Sequence, residues 1–390
     1  MKATLYGLCA ALALAVAPLA GASADTIKVG IIAPFSGPFS IYGKQFKEAL
    51  EVFVKDHGTK AGSHEVEFIY KDSTGPNPDV TKQVTRELLI KDGVKYLGGY
   101  VFTPNALAVA PLVTQSQTPT VIFNAATSII TKKSPFFVRT SFTLPQVAGP
   151  MADWAITNGI KTVATAVTDY GPGIDAEKTF IKEFQAKGGK IVDQIRMPIK
   201  TTDFAPFLQR IKSDAPNALF VFIPAGPTAF SFTKAYSDNG LKAAGIQFLG
   251  TGDVDDETTL QALGDAAIGI KTSYSYSAAH KSALNDKLKA GLAKLHPDSD
   301  ANFATVDAYD GAYVLYKMIA AAGTDGPAAV KSVLGMSWES ARGPVSIDAH
   351  NRSITQNIYI REVAKDAQGK LENKEIATYK DVPDLGQASK

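Results

Sequence analysis

Short apolar runs alternate with segments of helical periodicity along most of this 390-residue chain, and this alternation limits the possible folds. The strand-like runs are rich in β-branched residues, as at 27–34, whereas 43–56 repeats its apolar residues at helical spacing. Strands and helices that alternate in this way are typical of a parallel sheet covered by helices. The sequence therefore predicts an α/β fold.

The predicted elements form two series of similar size, and no flexible linker separates them. In the first series, strands are predicted at 27–34, 65–70, 95–100 and 120–123, and helices at 43–56, at 80–91 with Asp79 as its cap, and from Pro104 onwards. In the second, helices are predicted at 144–158, 175–187, 203–212 and 228–239, and strands at 162–167, 190–197, 218–223, 247–250 and 357–362. The tail after Lys365 is polar and predicted to lie on the surface. Two such units indicate a bilobed body with a cleft, where ligands sit beyond the carboxyl ends of the strands.

Residues 1–24 are typical of a cleaved secretory signal peptide. Lys2 precedes an apolar stretch at 5–20, and Ala22-Ser23-Ala24 fits the small-residue cleavage rule. The single cysteine, Cys9, lies in this segment, so we expect a mature chain from Asp25 without disulfides. An exported protein of this kind indicates a Gram-negative periplasm. The formal charge of +2, without a long basic run, argues against a nucleic-acid partner.

Two loops without charged residues follow strand-like runs, at 98–105 and 121–127. Thr103 precedes Pro104, so we expect Thr103 to be the N-cap of a helix, next to free N–H groups and the positive end of the helix dipole. Ala125-Ala126-Thr127 has small side chains that would let a ligand approach the backbone. Together the loops suit a small anion such as a carboxylate. Alternatively, Thr103 only caps its own helix and the second loop is an ordinary connection.

No motif points to catalysis, a metal ion or a cofactor. The segment 36–44 only approaches a phosphate-binding loop, because its glycines are six apart and Gln45 stands where a magnesium-binding hydroxyl belongs. Gly171-Pro172-Gly173 matches a dinucleotide fingerprint weakly, and the five histidines are scattered. The acidic cluster 253–257 is either a solvated helix cap or places Asp253 against a ligand cation. We therefore expect a binding protein rather than an enzyme.

The order of several short motifs resembles one known family, the periplasmic substrate-binding proteins of ABC importers of the leucine/isoleucine/valine-binding type. The motifs are Ser36-Gly37-Pro38, Tyr42-Gly43, Asp72, Gly98-Gly99 with Thr103, Ala125-Ala126-Thr127, Tyr170-Gly171-Pro172-Gly173, Gly343-Pro344-Val345 and Asp348. The resemblance implies two Rossmann-like lobes with parallel central sheets (the type I fold), joined by three crossover strands near Thr140, Tyr276 and Arg342. Lobe 1 would comprise 25–140 and 277–342, and lobe 2 would comprise 141–276 and 343–390.

The resemblance also implies the ligand-binding residues. Carboxylate-binding positions of the family match Thr103, Ala125 and Thr127, and its pocket aromatics match Tyr42, Tyr170 and Phe303. Two positions depart from the family: Ala225 replaces a pocket tyrosine, and Gly252 replaces the ammonium-binding glutamate, with Asp253 one residue later. These departures leave room for a larger ligand body, with Phe102, Phe39 and Phe123 as apolar lining.

The expected function is that of a periplasmic, monomeric solute-binding protein that delivers a small carboxylate to an ABC permease in the inner membrane. An aromatic carboxylate and a branched-chain or aromatic amino acid remain open as ligands. The amino acid needs an anion beside its buried ammonium group, and Asp253 is the residue that would supply it. A sensory receptor of the same fold and an enzyme acting in the cleft are the alternatives.

Overall fold

The computed structural model describes residues 25–387, so the predicted signal peptide and its cleavage site lie outside the described residues. The described chain forms two β-sheets with helices packed on both, as the alternating pattern predicts. None of the helices in residues 25–387 has the length and apolar composition needed to cross a bilayer.

The first sheet is almost entirely parallel. Its six strands are β1 (Thr26–Ala33), β2 (Lys60–Ala61), β3 (His64–Asp72), β4 (Tyr96–Gly99), β5 (Thr120–Ile122) and β6 (Phe137–Arg139). They lie in the order β2-β3-β1-β4-β5-β6, and only β2 and β3 pair in antiparallel fashion. Strands β4, β5 and β6 are buried along their whole length, which explains their mostly apolar composition.

The second sheet has a parallel half and an antiparallel half. Its nine strands are β7 (Thr162–Thr168), β8 (Lys190–Met197), β9 (Ala218–Phe222), β10 (Gln247–Thr251), β11 (Lys271–Tyr274), β12 (Ser337–Ser340), β13 (Gly343–Ile347), β14 (Ile354–Lys365) and β15 (Leu371–Val382). The order is β12-β13-β14-β11-β10-β9-β7-β8, and β15 pairs with β14. Strands β7 to β11 run parallel, and β12 to β15 extend the sheet in antiparallel fashion.

The helices cover both sheets. They are α1 (Ser40–His57), α2 (Pro78–Glu87), α3 (Thr103–Ser116), α4 (Ile130–Lys133), α5 (Leu144–Thr157), α6 (Gly171–Ala186), α7 (Ala205–Asp214), α8 (Pro227–Asp238), α9 (Glu257–Leu263), α10 (Ala283–Leu295), α11 (Phe303–Ala322) and α12 (Gly326–Ser332). Helices α10 and α11 pack on α1, so the chain returns to the first sheet after β11. The cap of α2 is Asn77 rather than Asp79, because Pro78 takes the first helical position and Asn77 accepts from the Val80 N–H at 3.3 Å.

Arg342 joins the segments that pass between the sheets. This buried side chain donates hydrogen bonds to Asp307 and Asp310 of α11 and to the carbonyl of Thr140, just beyond β6. The carbonyl of Arg342 in turn accepts a hydrogen bond from the Tyr359 hydroxyl of β14 at 2.7 Å. Two of the predicted crossing points, Thr140 and Arg342, therefore meet at one buried ion-pair network.

The boundary predicted for lobe 1 at residue 342 needs a correction. Strand β12 lies within 277–342, yet it pairs with β13 in the second sheet, with Ser340 opposite Gly343. The reason is a tight hairpin through Ala341 and Arg342, which requires the chain to reach the second sheet before residue 337. The other lobe boundaries stay predictions.

The segment after Lys365, predicted as a polar surface tail, contains the long strand β15. It pairs with β14 over most of its length, and its end is buried. Asp384, only 1% exposed, accepts hydrogen bonds from Ser128 beyond β5 and from Thr143 at the start of α5. The sequence signal was weak because most outward side chains of β15 are charged or polar. The C-terminal segment thus holds both sheets together.

We expect Asp384→Asn to lower the free energy of unfolding by about 1–3 kcal/mol, because it weakens the buried hydrogen bonds from Ser128 and Thr143. Urea denaturation measures the change. Asp381→Asn, the same substitution at an exposed position of β15, is the control and should leave the midpoint unchanged. Equal midpoints for the two variants would contradict the assigned role of Asp384.

Candidate ligand-binding crevice

Loops at the carboxyl ends of strands from both sheets enclose a small cavity. The free space between its walls is small in this structure. The lining is mostly apolar and aromatic, with one ionisable carboxyl group. The lining residues are Tyr42, Val101, Phe102, Asn124, Ala126, Phe142, Leu144, Tyr170, Pro172, Phe222, Pro224 and Asp253.

Four of the nine predicted site residues line this cavity, and the others lie directly behind the lining. The four are Tyr42, Phe102, Tyr170 and Asp253. Thr103, Ala125, Thr127 and Ala225 are each next in sequence to a lining residue. Phe303 packs edge-on against Tyr42, with ring centroids 6.0 Å apart. The structure therefore brings the predicted residues to one place.

Thr103 and Thr127 form a pair of buried hydroxyls. Their Oγ1 atoms are 2.8 Å apart, although the residues come from loops after different strands. Thr103 is the first residue of α3 rather than its N-cap, because Phe102 keeps an extended backbone (φ −106°, ψ 136°) and takes the cap position. The Thr103 hydroxyl consequently serves Thr127 and the crevice instead of capping its own helix.

The loop after β5 offers free main-chain donors next to these hydroxyls. Ala125, predicted to contact a carboxylate, already donates its N–H to the carbonyl of Tyr100 at 2.9 Å. The N–H groups of Ala126 and Thr127 have no hydrogen-bond partner within residues 25–387, and Ala126 lines the cavity. Unpartnered N–H groups beside a cavity favour a ligand that accepts hydrogen bonds.

The N-termini of two long helices from opposite sheets converge on the threonine pair. Thr103 begins α3, and Gly171 begins α6. A Cβ atom added to Gly171 would lie 3.2 Å from Thr127 Oγ1 and 3.5 Å from Thr103 Cγ2, so this glycine permits a close approach. Because helix N-termini carry partial positive charge, their convergence favours an anion between them.

A buried arginine beneath the loop escaped the sequence analysis. Arg139, at the end of β6, is fully buried, and its Nη2 donates to the carbonyl of Thr127 at 2.7 Å. Its Nε and Nη1 have no hydrogen-bond partner in the described chain. Burial lowers the pKa of Arg139 to about 10, against the effects of Asp384 and Asp175, so the guanidinium stays charged at neutral pH. The loops themselves are uncharged, but a cation lies under them.

Ser128 links the same loop to the second sheet. Its N–H donates to Asp175 Oδ2 of α6 at 3.2 Å, and its hydroxyl donates to Asp384. These contacts hold Ser128 in place from α6 on one side and from the C-terminal segment on the other. No sequence motif indicated them, since the partners are separated by 47 and 256 residues.

Aromatic rings form the walls between the polar groups. Tyr170 stacks on Phe222, with centroids 6.1 Å apart, and Phe102 meets both Tyr42 and Phe39 edge-on. Such flat walls fit a planar apolar body better than a branched one.

Asp253 is the only ionisable carboxyl group in the lining. Its Oδ2 accepts a hydrogen bond from Thr251 at 2.8 Å, and it is 5% exposed. Burial raises the pKa of Asp253 to about 7, and hydrogen bonding from Thr251 opposes part of this effect. The hydroxyl of Tyr274 is fully buried beside this carboxyl, and hydrogen bonding from it also opposes the rise in the pKa of Asp253.

The rest of the acidic cluster is structural and buried, which corrects the expectation of a solvated cap. Asp256 caps α9 by accepting from the Thr258 N–H at 3.0 Å. Asp255 and Glu257 form ion pairs with Arg361, which is fully buried. Within the described chain, no group of three or more His, Cys, Asp or Glu side chains is placed to hold a metal ion.

Gly252 has no room for the side chain that the family resemblance would place there. A Cβ atom at this position would lie 2.4 Å from both Arg361 Nη2 and the Tyr274 ring. Both neighbours are buried, so neither can move without disturbing the core. A glutamate at 252 is incompatible with this packing.

The comparisons with known proteins agree with this geometry. A sequence model of the periplasmic binding protein family matches residues 26–369. The Leu/Ile/Val-binding protein homolog 6 of Brucella abortus (strain 2308) is 48% identical over 379 residues, which cover 96% of this chain and 97% of that protein.

Two solved structures are similar in sequence and in fold. One is the solute-binding protein of an ABC transporter from R. palustris in complex with 4-hydroxybenzoate, which is 50% identical, has a TM-score of 0.90 and covers 93% of this chain and 99% of its own. The other is from Rhodopseudomonas palustris BisB5, in complex with 3,4-dihydroxy benzoic acid, at 44% identity and a TM-score of 0.90, covering 93% and 100%. Because the family model and these relatives extend over nearly the whole length described, this chain belongs to the periplasmic binding protein family.

Proposed function

We propose that this protein is the solute-binding component of an ABC importer and that its ligand is a small aromatic carboxylate. One observation carries the proposal. Two hydroxyls, two free N–H groups and two helix N-termini meet beside a small cavity with aromatic walls. The donors suit a carboxylate, and the flat walls suit a ring.

The related structures support the aromatic ligand. The two R. palustris proteins described above were solved with 4-hydroxybenzoate and 3,4-dihydroxy benzoic acid, both of which join a carboxylate to a single ring. The aromatic side chains of the cavity lining suit such a ring.

An aliphatic amino acid is the second candidate, and the name of the Brucella relative favours it. It requires an anion close to the ammonium group, because burying an unpaired charge is costly. Packing excludes a glutamate at 252, so Asp253 would have to provide that anion.

The remaining parts of the proposal follow from the expected transport role. Residues 1–24 are removed on export, the mature protein acts in the periplasm as a monomer, and its ligand-bound form is recognised by a permease in the inner membrane. The protein binds its ligand without changing it. A ligand sensor without a permease is the alternative, and direct measurement of transport by a strain lacking this protein would separate the two.

Isothermal titration calorimetry with 4-hydroxybenzoate and with leucine tests the ligand class. We expect the aromatic carboxylate to bind more tightly, because its ring fills the aromatic cavity and no ammonium group has to be buried. Mass spectrometry of the recovered ligand should show an unchanged mass. Tighter binding of leucine would contradict the aromatic assignment, and a changed mass would contradict the binding role.

Thr103→Val removes one donor of the threonine pair while it keeps the shape of the side chain. We expect the affinity for 4-hydroxybenzoate to fall by about 1–3 kcal/mol, because a carboxylate loses a charge-assisted hydrogen bond. Thr114→Val, on the same helix, is the control, since that hydroxyl bonds Ala110 and Ser134 instead. An unchanged dissociation constant in the Thr103 variant would argue against the carboxylate position.

Gly171→Ala tests whether the approach of α6 to the threonine pair matters for binding. The added methyl group would crowd Thr127 Oγ1 at 3.2 Å, and overpacking of this kind costs about 1–3 kcal/mol. We expect weaker binding of 4-hydroxybenzoate, because the methyl group keeps α6 away from the threonine pair. Calorimetry measures the change. Unaltered affinity would show that the contact is dispensable.

A further inference from the structure

The two polar regions of the cavity lie at the tips of different strands of the second sheet. Gly171, which contacts the threonine pair, follows β7, and Asp253 follows β10. Strand β9 lies between β7 and β10, so the tips are two strand spacings apart, or about 10 Å. A ligand whose carboxylate sits at the threonine pair therefore needs a second polar group well separated from the first to reach Asp253.

This separation discriminates between ligand classes. In an α-amino acid the ammonium group is bonded to the same carbon atom as the carboxylate, so the two groups are neighbours. In a benzoate with a hydroxyl group on the opposite side of the ring, the hydroxyl and the carboxylate lie at opposite ends of a rigid body. Only the hydroxybenzoate, with its two polar groups far apart, therefore matches polar groups at the tips of β7 and β10.

At the β10 end, the carboxyl of Asp253 lines the cavity and is 5% exposed. Its Oδ2 accepts a hydrogen bond from Thr251 at 2.8 Å, and the fully buried Tyr274 hydroxyl lies beside it as a second donor. An ionised carboxylate offers about four lone-pair sites, so a ligand hydroxyl can donate to it as well. Leaving a buried carboxylate short of hydrogen bonds is costly.

We propose that Asp253 determines specificity by accepting a hydrogen bond from a ring hydroxyl opposite the ligand carboxylate, so that the preferred ligands are para-hydroxylated aromatic carboxylates. This inference rests on the proposed function, because it places the carboxylate at Thr103 and Thr127. A ligand without the hydroxyl would cover the Asp253 carboxyl without giving it this hydrogen bond, and a site built for a hydroxyl discriminates against such analogues.

Calorimetry on the intact wild-type protein provides the first test, with benzoate, 2-hydroxybenzoate and 4-hydroxybenzoate as probes. The two hydroxybenzoates contain the same atoms and differ only in the position of the hydroxyl group. We expect 4-hydroxybenzoate to bind at least about tenfold more tightly than the other two, in line with a hydrogen bond to a charged group. Equal affinities for all three would overturn the inference.

Asp253→Asn provides the second test. We expect its affinity for 4-hydroxybenzoate to fall about tenfold to a hundredfold while benzoate binding is retained, so that the preference is largely lost. Asp238→Asn, an exposed carboxylate on α8, is the matched control and should keep the wild-type preference.

The outcomes separate the inference from the proposed function. If the preference for 4-hydroxybenzoate survives in the Asp253 variant, the subsite assignment is wrong while the aromatic ligand stands. If the wild-type protein binds none of the three benzoates, the proposed function fails, and the subsite fails with it. Because the wild-type comparison needs no variant, the inference remains testable even if Asp253→Asn does not fold.

Discussion

The buried ion pairs of Arg342 determine how the two sheets are placed relative to each other. A buried guanidinium is costly unless carboxylates and carbonyls surround it, and Arg342 obtains these from Asp307 and Asp310 of α11 and from Thr140 beyond β6. These groups come from segments far apart in sequence, so the network holds the crossing segments side by side. The loops at the strand tips then face one another across a crevice, and every contact of the proposed ligand depends on this placement.

The crevice is suited to an anion by backbone dipoles more than by side-chain charge. Helices α3 and α6 direct their positive ends to the same pair of threonines from opposite sides, and Arg139 adds a full charge beneath Thr127. Like partial charges oppose each other's approach when nothing lies between them. A carboxylate placed there turns this repulsion into attraction, so the bound state favours the closed arrangement of the lobes. A ligand that binds one of two arrangements more tightly shifts the population towards that arrangement.

The sequence predicted the parts of the molecule that depend on local patterns. Parallel strands such as β9 are continuous apolar runs because both faces are buried, so their positions could be read directly. Tyr42 and Tyr170 were predicted from the family resemblance and Asp253 from the acidic cluster after β10, and the structure places all three in the cavity lining. Arg139 could not be found because its role depends on its side chain folding back under the loop to the Thr127 carbonyl, and Asp384 because its partner Ser128 is 256 residues away. Strand β15 was missed because its exposed face is polar. Thr103 was predicted as the N-cap of α3, but Phe102 is the cap, and the Thr103 hydroxyl bonds Thr127 because tertiary structure brings the two loops together.

The same packing that stabilises the second sheet also restricts the ligand. Arg361 pairs with Asp255 and Glu257, lies over the ring of Tyr274, and so fills the space into which a side chain at 252 would extend. The anion of the site can therefore stand only at the next position, where Asp253 lies two strands away from Gly171 and the threonine pair. This displacement separates the two polar ends of the cavity by more than the width of an amino-acid head group. In the proposed complex, a core arginine outside the cavity lining thereby favours a rigid molecule with polar groups at its two ends.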